Sequence, residues 1–136
     1  MFTDPIVVPS LIGGTVNAVV LVLIAYLLSR FWRDGVGRGL LVIFLFAAGG
    51  AYLGFAIGAG ASPAWAALEL VQVIVIGILA LLGYTGSPYW LALGWAVHPL
   101  WDVGLHYIGP GRPFTPAVWA ISCITFDLVV AAYVVL

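Results

Sequence analysis

Five apolar runs of about 20 residues each set the limits on what this chain can fold into. They extend from Pro9 to Phe31, Gly39 to Ala61, Pro63 to Tyr84, Pro88 to Ile108 and Phe114 to Leu136, and they occupy nearly all of the 136 residues. A helix rises about 1.5 Å per residue, so about 20 residues cross the roughly 30 Å hydrocarbon core of a bilayer. The runs are continuous instead of alternating, and each is about twice as long as a barrel strand, which argues against a transmembrane β-barrel. A soluble domain carries about 25% charged residues; here 65% are hydrophobic and 7% charged. The expected fold is therefore all-α. Residues 1–136 form a single integral membrane domain, a five-transmembrane-helix bundle with short loops, surrounded by the lipid bilayer of the cell membrane.

The connections set the order of the bundle. A-G-A-S-P joins spans two and three, and Y-T-G-S-P joins spans three and four. Helices linked this tightly are antiparallel neighbours, with Ser62 and Ser87 expected as N-caps and Pro63 and Pro88 in the first helical position. Gly50, Gly54 and Gly58, with Ala47 and Ala51 beside them, form a small-residue groove that would let another helix approach closely. Arg30, Arg33 and Arg38 crowd the first connection, whereas only Arg112 lies in the fourth. The positive-inside rule then places the first loop and the C-terminus in the cytoplasm and the N-terminus outside. Met1-Phe2-Thr3-Asp4 lacks a basic n-region, so the first run reads as a retained span. There is no basic patch of the kind nucleic acid requires. The single cysteine, Cys123, excludes an internal disulfide and a zinc site built on several thiolates.

Against this background Trp95 to His106, W-A-V-H-P-L-W-D-V-G-L-H, stands out because it places both histidines and one of five acids inside an apolar span. An ionisable side chain at mid-span disfavours insertion by about 2.5 to 3.5 kcal/mol and persists mainly where it meets partners or water. Steps of three and four residues put Trp95, His98, Asp102 and His106 on one helical face. Pro99 removes a backbone donor and strains the helix against the carbonyl of Trp95, so a kink is expected. Glu69 and Gln72 share a face of span three, Asn17 lies in span one, and Asp127 lies in span five one turn from Cys123. Counted from the outer ends, Asn17, Glu69 and Asp102 fall near one level, Gln72 and His98 about 5 Å deeper, and His106 near the mouth of an outward-opening pocket.

This constellation suits proton transfer on a lipid-like or isoprenoid substrate, a hydrophobic small molecule held in the membrane. Asp102, Glu69, His98 and Asp127 are the candidate catalytic acids and bases. Trp95, Trp101, Trp65, Trp119, His106, Gln72 and Asn17 are the candidate substrate-binding residues, the indole faces being suited to a developing carbocation. The reaction classes that fit are isomerase, cyclase or hydrolase. A metal site would use His98 and Asp102 at i and i+4 with Glu69 as third ligand. His98 and His106 lie about 12 Å apart along the axis, so one ion takes only one of them. No H-E-x-x-H motif is present, and a metal cofactor is the less favoured reading. Other classes that fit are a proton-coupled carrier, which would require a homo-oligomer to build a path, and an accessory subunit of a larger membrane complex. The bland alternative is internal pairing, Asp102 with a histidine and Glu69 with Gln72.

The pattern W-x-x-H-P-x-W-D-x-x-x-H, carried by Trp95, His98, Trp101, Asp102 and His106, resembles a helix that recurs in small bacterial integral membrane proteins. That resemblance covers one helix and implies no particular activity. In architecture alone the chain is similar to five-helix sterol isomerases, which place carboxylates, a histidine and tryptophans in an intramembrane pocket, although their motifs are absent from this sequence.

Overall fold

The computed structural model describes residues 4–33 and 35–136, and among them every regular element is a helix. Helix α1 runs Val7–Phe31, α2 Val36–Gly58, α3 Pro63–Thr85, α4 Pro88–Trp101 and α5 Ala117–Val135. Between α4 and α5 the chain continues from Trp101 directly into a π-helical turn, Asp102–Tyr107. Helices α1, α2, α3 and α5 are each long and apolar enough to cross a membrane, which makes this a multi-pass membrane protein. The fourth apolar run differs from the other four: its α-helical part is only 14 residues, and the remainder is wound more loosely.

Sequential neighbours pack as antiparallel pairs, and α1 closes the bundle against α5. The contacts run through small residues, as expected where water supplies no drive to bring helices together. Gly14 of α1 sits against the Ser122 carbonyl, where a Cβ has no room, and Thr125 Oγ1 donates across the same seam to the Leu11 carbonyl at 2.6 Å. Gly37 meets Ala25 and Ser29 of α1, Gly77 meets Phe46, and Gly83 meets Leu91. The Gly50, Gly54, Gly58 groove has no such role, since nothing lies within 4 Å of a Cβ built at any of the three. The buried stripe of α2 is Gly37, Leu41, Leu45, Gly49, Tyr52 and Ala56, and at about 100° per residue the expected groove sits a quarter-turn away from it. Gly49, one position earlier, is the glycine that packs, against Ile76 and Gln72.

The same displacement removes Asn17 from the interior. Helix α1 buries Ser10, Gly14, Ala18, Leu21 and Ala25, and Asn17, one residue around from Ala18, is exposed. Of the expected caps, Ser62 accepts a hydrogen bond from the Trp65 N–H at 3.2 Å, whereas the Ser87 side chain makes none. Helix α5 begins three residues later than the apolar run, because residues 108–116 fold back over the end of the π turn.

The bundle is polar at one end and apolar at the other. Leu21, Ala25, Leu41, Leu45, Leu91 and Val130 belong to one buried apolar cluster towards the α1–α2 and α3–α4 turns. The buried titratable side chains gather in the opposite half, towards the α2–α3 turn.

Candidate functional site

Trp95, His98, Asp102 and His106 are each 0–1% exposed, so the stripe read from the sequence is the inward face of α4 and its π continuation. Pro99 offers no N–H to the Trp95 carbonyl. Three residues on, the Asp102 N–H is shared between the carbonyls of His98 and Pro99, and Ile108 N–H bonds back five residues to Val103 at 3.0 Å. A turn of this kind inside a helix is rare and is frequent at functional sites.

Two constellations hang from this stripe. In the first, His98 Nδ1 lies 2.9 Å from Asp127 Oδ2 and 3.3 Å from Asp102 Oδ2, so one ring nitrogen faces two carboxylates from two elements. Donor atoms of His98, Asp102 and Asp127 all fall within 4.8 Å of one another. In the second, Glu69 Oε2 accepts from Trp101 Nε1 at 3.2 Å, and Glu69 Oε1 lies 3.2 Å from His106 Nε2, close enough for an ion pair but not aligned as a hydrogen bond. The opposite nitrogen of that ring, His106 Nδ1, is 3.0 Å from Thr115 Oγ1.

Tyr52 of α2 joins the two groups. Its ring stacks on His106 at 4.2 Å and 30°, and lies 5.7 Å from His98. The Tyr52 phenol and the Cys123 thiol both lie beside Asp102. Trp65 meets His106 edge-on at 6.2 Å, and Gly111 rests on both rings, so closely that a Cβ there would come within 2.6 Å of His106 Nδ1. The expected outward mouth is therefore covered by the 108–116 loop. A cavity that touches the site lies elsewhere, about 130 Å³ in the seam between α3 and α4, lined by Val71, Gln72, Val75, Val97, His98 and Trp101. Val71 and Val75 on its rim are exposed, so it opens sideways at the bundle surface, where lipid would lie.

The structure thus brings together Asp102, His98, Asp127, Glu69, His106, Trp101, Gln72 and Trp65. Trp95 is fully buried but packs in the apolar cluster against Phe126 at 5.7 Å. Trp119 is 41% exposed and meets Phe55, outside the titratable groups, and Asn17 is outside as well. Of the alternative pairings, Asp102 does meet a histidine, His98, but Glu69 does not meet Gln72: Glu69 turns to Trp101 and His106, and both amide atoms of Gln72 are buried without a partner. Glu69 is also replaced in the expected metal-ligand set, where Asp127 stands beside His98 and Asp102. Neither Tyr52 nor Thr115 stands out in the sequence. The only signal for Tyr52 was a large polar-tipped ring in phase with the buried stripe of α2, and Thr115 lies in a loop where no period operates.

No curated protein matches the chain. No solved structure matches it either. A family described as "Family of unknown function (DUF6010)" matches residues 13–136, a stretch that includes all five helices in whole or in large part and every residue of the two constellations. By that match the chain belongs to the DUF6010 family.

Proposed function

We propose that this protein is an intramembrane enzyme that moves protons on a lipid-like or isoprenoid substrate entering from the bilayer between α3 and α4. The observation that carries this reading is a set of buried side-chain nitrogen and oxygen atoms without an aligned hydrogen bond, gathered at the polar end of the bundle on Tyr52, Trp65, Glu69, Gln72, His98, Asp102, His106 and Asp127. A buried polar atom left wholly without a partner destabilises a fold by about 1–3 kcal/mol. Groups present only to hold helices together would be expected to satisfy one another, whereas groups facing a ligand retain free valences.

In this reading Glu69 and His106 form a proton-exchanging pair, and Asp102, His98 and Asp127 form a second group of three beside it. Trp101 orients Glu69 through its indole N–H, the Gln72 amide anchors a polar group of the substrate in the cavity, and Val71, Val75 and Val97 receive its hydrocarbon part. The reading includes five spans in the cell membrane, α4 and its π turn serving as the fourth, with the N-terminus outside and the C-terminus cytoplasmic. It is supported by the unbroken helical course over residues 88–107 and by the arginines of the first loop.

The test uses the full chain in lipid nanodiscs loaded with membrane lipid and isoprenoid extract in D2O. The expected result is a lipid species that gains carbon-bound deuterium or changes retention with wild type and not with Asp102→Asn or Glu69→Gln. Identical lipid profiles from wild type and both folded variants would remove the acid–base reading.

A further inference from the structure

We propose that His98, Asp102 and Asp127 bind one divalent first-row transition-metal ion, each through a single donor atom, leaving a coordination position for water or substrate. A tetrahedral ion with bonds of about 2.0–2.1 Å holds its ligand atoms about 3.3–3.4 Å apart. His98 Nδ1 stands 2.9 Å from Asp127 Oδ2 and 3.3 Å from Asp102 Oδ2, near ligand spacing from the ring to each carboxylate, and the three donor atoms lie within 4.8 Å of one another.

Those distances alone would also suit a hydrogen-bonded triad. Asp102 separates the two cases. It is 0% exposed, and both of its oxygens lack a hydrogen bond even though Oδ2 faces the His98 ring. Asp127 Oδ1 is unpartnered as well. Besides the shared ring proton, the donors beside Asp102 are the Tyr52 phenol and the Cys123 thiol, neither of them aligned on a carboxylate oxygen, and a cation satisfies the carboxylates together. Charge points the same way. Two ionised aspartates and a neutral imidazole around a divalent ion sum to zero, the arrangement best suited to a site remote from water.

One nitrogen and two oxygens, with room for one or two more ligands, fit zinc, ferrous iron or manganese. They do not fit calcium, which takes six to eight oxygens. The inference rests on reading the buried groups as a functional site, and it gives them a division of labour. The ion polarises the substrate or its own bound water, and proton transfer falls to Glu69 and His106, which lie outside the ligand set.

The experiment uses full-length protein without a polyhistidine tag, stripped with EDTA, exposed separately to Zn²⁺, Mn²⁺ and anaerobic Fe²⁺, and desalted. Elemental analysis should find about one equivalent of at least one ion retained, with a raised melting temperature. Glu69→Gln should match wild type in both respects, and Asp127→Asn should retain no ion. Because Asp127→Asn can also lose its fold, wild type is titrated with Co²⁺, whose visible bands should show low-symmetry coordination and vanish when Zn²⁺ is added. Wild type that is folded yet retains no ion, melts unchanged and gives no cobalt bands overturns the proposal, as does retention by Asp127→Asn with loss in Glu69→Gln. The outcome is independent of deuterium exchange: exchange without metal removes the ion and leaves the acid–base reading, and metal without exchange does the reverse.

Discussion

Glu69 meets Trp101 through one oxygen and His106 through the other, so its charge and its hydrogen bond can be separated by substitution. Glu69→Gln leaves an oxygen to accept from the indole and removes the proposed proton-transfer group. Deuterium exchange should fall by about 10²–10⁴-fold with little change in melting temperature. Glu69→Ala strands the indole N–H as well and should cost a further 1–3 kcal/mol or so, read by thermal unfolding in detergent. At Gly111 a Cβ would press on His106 Nδ1 and on Trp65 Cζ2 at 2.7 Å. Gly111→Ala should therefore lift the loop, lower stability by about 1–3 kcal/mol and speed modification of His106 by diethylpyrocarbonate; an unchanged modification rate would show that the loop does not guard the ring. Residues of this kind were legible to very different degrees. His98, Asp102 and His106 declared themselves because an ionisable group in an apolar run has few reasons to be there. Asn17 misled because a polar residue at the edge of a helical face is assigned inward or outward by a rotation smaller than sequence counting resolves.

At the scale of elements, the glycines divide into those with a neighbour and those without. Gly14→Leu should force α1 off the Ser122 carbonyl and destabilise the bundle by about 1–3 kcal/mol or more, whereas Gly54→Leu should leave the melting temperature unchanged. Four-residue spacing predicted small-residue packing on α2, and the helix does pack through a small residue, but a period fixes spacing and not phase, so Gly49 and not Gly50 meets α3. The π turn was illegible for a similar reason, since the face it completes looks continuous under α-helical counting. In a regular α-helix the eight steps from His98 to His106 leave the two rings about 80° apart. A turn that closes five residues back advances only about 80° per residue and brings them nearly into line, which is why the single ring of Tyr52 reaches both. The chain thus holds one residue more than this face needs. Deleting Gly104, which has open space around it, should let the turn close as α-helix with His106 still inward and stability nearly native. Deleting Leu93 from the regular part should turn Leu91 and His98 about 100° out of register and abolish folding, a contrast checked by yield and circular dichroism.

For the whole molecule, the five-span reading requires the α2–α3 turn near residue 60 and the loop near residue 111 to share one side of the membrane, with residue 35 on the other. Reporter fusions at the three positions check this, and a match between 35 and 111 would leave α4 as a helix that does not cross. The gross plan was plain from the runs of apolar residues; which end of the bundle would be polar became visible only once the helices were set side by side. The opening of the cavity in the α3–α4 seam, and not at the covered end, has a consequence for rate. A molecule that arrives through the seam is counted per lipid, not per litre. At a fixed amount of protein and substrate, adding inert phospholipid should slow turnover in proportion to the thinning of substrate within the leaflet, and adding buffer should change nothing.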